Sequence, residues 1–271
     1  MKKLLGKPLS EKDRDGIARM REEGGSVNLV CILSPDSDDS VSYLHQIERL
    51  AEKTGTKIDK LFVSDAETAS RAVSRIEKPK GRDSFIILRP IPLIDDSIAL
   101  KLDSRRDPDC FGSLRRSEIY SWGKDVYLPA TARSVMRLIE SSGIETKGKK
   151  ALVIGRSLSV GLPVFHALMR ADALVSLAHS KVSPKTLKEE ARRSDILVLA
   201  SGHRGLIDET CIHDGQVIID CGFHASDRGG DLGFVPNESI QGFYTPVPGG
   251  VGPLTVVSLL HNAYSMLRGV K

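Results

Sequence analysis

At 271 residues, with 40% hydrophobic and 27% charged side chains, the chain has ample material for globular cores, and its length favours two domains over one. Its 39 basic and 35 acidic residues leave a net charge of +4, which with 5% aromatics argues against nucleic acid and for small anionic ligands. No run approaches a membrane span, and Cys31, Cys110, Cys211 and Cys221 form no C-x-x-C pair, so membrane insertion, a zinc site and a disulfide framework are all unexpected.

The opening MKKLLGKPLSEKDRDG turns polar before any useful apolar core develops, so neither a signal peptide nor an anchor is expected. Together with scattered thiols this predicts a cytoplasmic protein. Residues 27–33 (VNLVCIL) read as a buried strand ending in SPDSDDS. Residues 40–55 carry Leu44, Ile47, Leu50 and Ala51 at helical spacing, with Gly55 as the stop. A weaker strand at 60–63, a helix at 66–76 and a strong strand at 84–88 (SFIIL) complete a strand–helix alternation that implies a parallel sheet. Residues 101–124 show little periodicity and read as an irregular connection carrying binding residues. A helix over 131–142 closes at Gly143. A second series follows: strand 150–154, helix 160–169, strand 174–177, helix 183–193, then strands 196–200 and 216–221. After a loop over 225–233, the chain ends in an amphipathic helix over 254–267. The fold class is α/β.

Residues 151–163 (ALVIGRSLSVGLP) deliver a buried strand to Gly155 and start a helix near Gly161. Such a turn presents backbone N–H groups and the positive end of a helix to a diphosphate, although the spacing departs from G-x-G-x-x-G. The next strand ends in Ala178-His179-Ser180, with no acid for the ribose hydroxyls of NAD. Arg156, Ser157 and Ser180 suit a 2′-phosphate instead, which favours NADP over NAD. The competing reading is a solvated arginine with helix-capping serines.

Residues 245–255 (TPVPGGVGPLT) combine stiff prolines with glycines that bare the main chain just before a helix. A ligand can lie against such a segment, and so can a plain interdomain turn. The string resembles the C-terminal motif of the bifunctional methylenetetrahydrofolate dehydrogenase/methenyltetrahydrofolate cyclohydrolase family. Gly155-Arg156-Ser157 with Val160-Gly161-x-Pro163 resembles that family's cofactor turn, His179-Ser180 its next strand end, and Asp220-Cys221-Gly222 a later one. The resemblance spans the chain and is strongest from about Gly148 onward.

The resemblance implies a folate-binding catalytic domain of residues 1–140 and 246–271, with a parallel sheet completed by the C-terminal helix. A Rossmann-type NAD(P)-binding domain of residues 141–245 would be inserted between them, with folate in the cleft where the two meet. It also implies NADP as cofactor, a tetrahydrofolate derivative as substrate and a homodimer, with neither nucleic acid, membrane nor metal involved. Cofactor-binding positions would be Gly155, Arg156, Ser157, His179, Ser180 and Phe223; substrate-binding positions would be Tyr43, Leu88, Asp109, Pro248, Gly249, Gly250, Val251 and Gly252.

The family's S-x-x-Y-x-x-x-K is met by Ser40 and Tyr43, but Ile47 stands where the lysine belongs. Its V-Q-L-P-L-P appears as Ile87-Leu88-Arg89-Pro90-Ile91-Pro92, so Leu88 replaces the glutamine that would orient that lysine. K-D-V-D-G appears as Arg106-Asp107-Pro108-Asp109-Cys110, which keeps Asp109 to accept hydrogen bonds from the pterin edge. P-C-T-P-x-G is reduced to Pro129-Ala130-Thr131-Ala132. Tyr43 and Asp109 remain as catalytic positions. His45, Arg49, Lys53 or Arg89 would have to compensate for the lost lysine, and His45 points about 160° away from Ile47 on a regular helix.

The family's reactions make unequal demands. Hydride removal from the carbon between two folate nitrogens mainly needs proximity and orientation, because the nitrogen lone pairs stabilise the developing cation. Hydrolysis of the methenyl product needs proton movement, for which a placed lysine is typically worth about 10²–10⁴-fold. The residues therefore predict an NADP-dependent 5,10-methylenetetrahydrofolate dehydrogenase with weak or absent cyclohydrolase activity. A silent NADP/folate binder and a dehydrogenase for another small substrate are the alternatives.

Overall fold

The computed structural model describes residues 1–123, 126–224 and 226–268, and it divides into two compact units. One comprises Glu11–Ala130 and Val256–Lys271; the other comprises Met1–Ser10 and Thr131–Thr255. Residues 1–10, 131–140 and 246–255, expected with the folate-binding part, thus group with the dinucleotide part. Lys124, Ala225 and residues 269–271, which fall in the connection, the loop and the C-terminal segment read from sequence, lie outside the described residues.

The first unit is built on a parallel three-stranded sheet of order β3-β2-β4, where β2 is Asn28–Leu33, β3 is Lys57–Phe62 and β4 is Asp83–Leu88. Central β2 is buried along nearly its whole length, as the apolar run requires of a strand covered on both faces. Alternation sorts its side chains: Leu29, Cys31 and Leu33 join Ile86 and Leu88 in one core cluster, while Val30 and Ile32 join Phe85 in another. Helix α2 (Asp38–Thr54) connects β2 to β3. It starts on Asp38 and Asp39, which suit the positive helix end, buries Leu44, Ile47 and Ala51 at i, i+3, i+7 spacing, and stops at Gly55 with φ 63°. Helix α3 (Ala66–Glu77) opens with a reciprocal Asp65–Thr68 capping box.

One segment went unread and two expectations need correction. The polar N-terminus forms a short strand, β1 (Lys2–Lys3), and a long helix, α1 (Gly6–Gly24), whose Ile17 and Met20 are buried. The supposedly irregular connection holds a short helix, α4 (Ile98–Lys101), a 3₁₀ turn at Ser104–Arg106 and another helix, α5 (Ser113–Ile119), all too brief for periodicity to reveal. The last helix is α9 (Val251–Met266). Beyond Pro253 it is buried on nearly every face rather than amphipathic, which matches its almost wholly apolar sequence.

The second unit carries a parallel six-stranded sheet, order β1-β9-β8-β7-β5-β6. Its strands are β5 (Lys150–Ile154), β6 (Leu174–Ala178), β7 (Ile196–Leu199), β8 (Gln216–Asp220) and β9 (Gly242–Tyr244), with β1 at the edge. Helices α6 (Ala130–Ser141), α7 (Gly161–Arg170) and α8 (Pro184–Arg193) accompany it, α6 straddling the unit boundary at its first residue. Strand order reverses between β5 and β7, which places a crevice at their C-terminal ends, where such sheets bind nucleotides. Strand β9, three residues long, and charged β1 went unread because neither is long enough to alternate.

Candidate active site

In the dinucleotide unit the turn after β5 is dictated by backbone crowding. Gly155 has φ 122°, and a Cβ there would sit 2.1 Å from the carbonyl oxygen of Ala200, just past β7. A Cβ on Gly161, the first residue of α7, would sit 2.1 Å from the oxygen of Gly155. The two glycines let strand, turn and helix close on one another, so main chain lines the crevice. Ser157 Oγ accepts from Val160 N and Gly161 N, both at 3.2 Å, which holds the turn just ahead of α7. Arg156 is exposed, as are Ser157 and Ser180. His179 is half-buried with Nδ1 3.2 Å from the donating Lys181 N, and Phe223 is 63% exposed.

The far side of the same crevice holds residues the sequence reading missed. Asp231 is buried, and its Oδ2 accepts from Ser201 N at 2.9 Å, Ser201 Oγ at 3.0 Å and Gly202 N at 2.8 Å. Its Oδ1 lies 3.0 Å from His224 Nε2. One carboxylate thereby ties the loop after β7 to the loop after β8. Asp220, at the end of β8, accepts from Gly222 N, Asp231 N and Leu232 N within 3.0 Å, while Thr245 Oγ1 accepts from its backbone N at 2.7 Å. Burial raises the Asp220 pKa despite those hydrogen bonds. Asp220 was already singled out within Asp220-Cys221-Gly222; the sequence hint for Asp231 was an acid embedded in Gly229-Gly230-Asp231, where glycines admit close backbone approach.

The proline–glycine segment is also shaped by packing. Gly6 N donates to Gly249 O at 2.9 Å, Gly250 N donates to Pro246 O at 2.7 Å, and a Cβ on Gly250 would meet Thr245 at 2.5 Å. Gly249 has φ 116°. Gly250 and Val251 are buried, Gly249 is half-buried, and Pro248 and Gly252 are exposed. The Gly252 Cβ position faces open space.

In the other unit the structure brings Tyr43, Ile47 and Leu88 together. Ile47 is 0% exposed and shares a core cluster with Leu44, Leu88, Leu259 and Leu260, against which half-buried Tyr43 packs. Full burial of an isoleucine contributes roughly 1.5–3 kcal/mol. Burial pushes the Tyr43 phenol far up, and the nearby Asp109 carboxylate adds to it. Asp109 is pushed up to about 6 by burial, although Ala130 N donates to its Oδ1 at 2.9 Å. Asp107 is pushed up to about 7 by burial, opposed by hydrogen bonds from Gly112 N at 2.7 Å and Phe111 N at 2.9 Å. Asn262 of α9 fixes this loop by donating to Pro108 O and Leu128 O, both at 2.9 Å. His45, Arg49, Lys53 and Arg89 are all exposed, whereas Ile47 is enclosed. Among the described residues there is no metal-binding group of histidine, cysteine or acid side chains, and no helix is long and apolar enough to cross a membrane.

Comparison with known proteins was made on sequence and on structure. Residues 129–270 match the family described as tetrahydrofolate dehydrogenase/cyclohydrolase, NAD(P)-binding domain. A Streptococcus suis protein described as bifunctional protein FolD is 34% identical over 271 residues, covering 97% of this chain and 95% of the relative. The FolD methylenetetrahydrofolate dehydrogenase/cyclohydrolase of Campylobacter jejuni superposes with a TM-score of 0.89 at 27% identity, covering 98% of each chain. The Trypanosoma brucei methylenetetrahydrofolate dehydrogenase-cyclohydrolase, solved with NADP cofactor and inhibitor, gives a TM-score of 0.85 at 28% identity, covering 96% of this chain and 94% of that one.

Proposed function

Because this chain belongs to the tetrahydrofolate dehydrogenase/cyclohydrolase family, we propose that it is an NADP-dependent 5,10-methylenetetrahydrofolate dehydrogenase whose cyclohydrolase step is weak or lost. The observation that carries the asymmetry is the enclosure of Ile47 beside Leu88 in an apolar core, at the two positions where the family motif has lysine and glutamine.

The dinucleotide turn fits its ligand. Gly155 and Gly161 leave no room for a Cβ, so a diphosphate would lie against main chain at the turn into α7, near the positive end of that helix. Exposed Arg156, Ser157 and Ser180 would hold a 2′-phosphate, and the strand end at Ala178-His179-Ser180 offers no acid to favour NAD. His179 and Phe223 would flank the cofactor. When bound, NADP supplies the hydride acceptor.

Everything else falls to the chain's own side chains. Tyr43 presents a ring on which the aminobenzoyl portion of the substrate stacks. Asp109, ionised above about pH 6, accepts from the amino-pyrimidine edge of the pterin. Ile47 and Leu88 are enclosed in the adjoining core, and neither can donate or accept a proton. Orientation suffices for hydride transfer, whereas methenyl hydrolysis loses its proton carrier. The same family reading extends to a cytoplasmic homodimer, supported by four cysteines in free form and testable by light scattering against a 29.5 kDa monomer.

The experiment is a rate assay of methylenetetrahydrofolate with NADP and with NAD, followed at the nicotinamide absorbance. The reading expects NADPH formation, slower turnover with NAD, and about a 10-fold weaker NADP affinity in Arg156→Ala with NAD unaffected, equivalent to about 1.4 kcal/mol. Ligand binding without turnover would mean a silent homologue. NADP binding with no folate binding would mean another substrate.

A further inference from the structure

A cationic pair stands one residue beyond the strand end that carries Leu88. The Arg89 guanidinium carbon lies 5.7 Å from the centroid of the Phe111 ring, and that of Arg116 lies 4.8 Å from the same centroid. Two like charges on one ring repel unless an anion joins them. Their neighbour shows what a satisfied arginine looks like here: Arg115 donates to Ser104 O and to Glu118 while covering Tyr127 at 4.9 Å. Arg116, by contrast, has no acidic partner among the described residues. Among the described residues Arg89 pairs only with Asp96, whose side chain is 79% exposed, and such a surface pair is easily exchanged for another carboxylate.

The pair's position is informative. Arg89 follows Leu88 directly, at the C-terminal end of β4, the side on which α/β sheets bind ligands, and Phe111 lies two residues after Asp109. Position 89 is leucine in the family motif, so the charge belongs to this chain. Resting on the folate reading above, we propose that Arg89 and Arg116, flanking Phe111, hold the carboxylates of the substrate's glutamyl end. Guanidinium forks match carboxylates in geometry as well as charge, and contact with the one ring keeps both forks close together. The interaction is remote from the reacting carbon, so it tightens ground state and transition state alike and acts on KM rather than kcat.

The test compares wild type, Arg116→Gln and Arg116→Lys on methylenetetrahydrofolate carrying one or three glutamyl residues, and wild type alone on the analogue lacking glutamate. At saturating NADP the glutamate-free analogue and Arg116→Gln should each raise KM by about 10-fold at similar kcat, with Arg116→Lys recovering part of the loss. Wild type should prefer the triglutamate, and Arg116→Gln should lose that preference. The wild-type KM should also rise with added KCl more steeply than the variant's. Equal KM values for wild type on all three substrates would overturn the site, a result that does not require the variants to fold. Failure of wild type to oxidise any of the three would instead overturn the folate reading on which the site rests.

Discussion

The turn after β5 and the cluster around Tyr43 are built on opposite principles. In the turn, function resides in main chain: Gly155 and Gly161 are needed because carbonyl oxygens stand where a Cβ would go, and few side chains are held in place. Around Tyr43, on the function proposed above, the chemistry rests on side chains: the backbone of α2 and β4 stays regular while Ile47 and Leu88 stand in one apolar core where the family motif has lysine and glutamine. A site made of backbone cannot drift without breaking the fold. A site made of side chains changes chemistry while its helix and strand persist, which is how a chain can keep one of two activities.

The comparison can be broken at its main-chain end first. Gly155→Ala forces an alanine to φ 122° and into the Ala200 carbonyl, and should cost about 3 kcal/mol with loss of NADP binding, read by thermal melts and cofactor titration. A variant that melts and binds like wild type would remove the argument from crowding. Next in size is Asp231→Ala, which strips the acceptor from Ser201 N, Ser201 Oγ and Gly202 N. A cost of about 2 kcal/mol and a raised KM for NADP at little-changed kcat are expected, with partial rescue by Asp231→Asn. Loss of stability without any change in that KM would reduce Asp231 to a structural tie.

A further test belongs to the side-chain region and is read in pH. Asp107 is pushed up to about 7 and Asp109 to about 6 from an ordinary 3.8, so the folded chain holds protons that the unfolded chain has released. Their contribution to stability is full below about pH 4 and is lost as pH rises through 6 to 7. The Tm of wild type relative to Asp107→Asn should therefore fall between pH 4 and pH 7. A flat difference would contradict the shift.

The two regions also differed in how well they could be read. Buried runs such as Lys150–Ile154 and Gln216–Asp220, and the Leu44–Ile47–Ala51 stripe of α2, declare themselves because period and burial coincide. Helix α1 was missed because charged residues dilute its stripe, and Gly242–Tyr244 because three residues cannot alternate. The glycine turn was legible as spacing, yet its cause, the approach of Ala200 across the strand-order reversal, is a contact between distant segments. Asp231 was illegible for the same reason: its partners at positions 201 and 202 come from another strand end. Ile47 stood out only as a departure from a motif; its enclosure beside Leu88 emerged from packing.

The central claim is that hydride transfer survives where proton transfer does not. The direct measurement follows methenyltetrahydrofolate hydrolysis by the purified chain alongside methylenetetrahydrofolate oxidation, in wild type and in the Ile47→Lys, Leu88→Gln double variant. The account predicts NADPH formation by wild type, hydrolysis no faster than in buffer, and a hydrolytic gain of at least about 10²-fold when lysine and glutamine are restored together. Efficient hydrolysis by wild type, with no gain in the double variant, would contradict it.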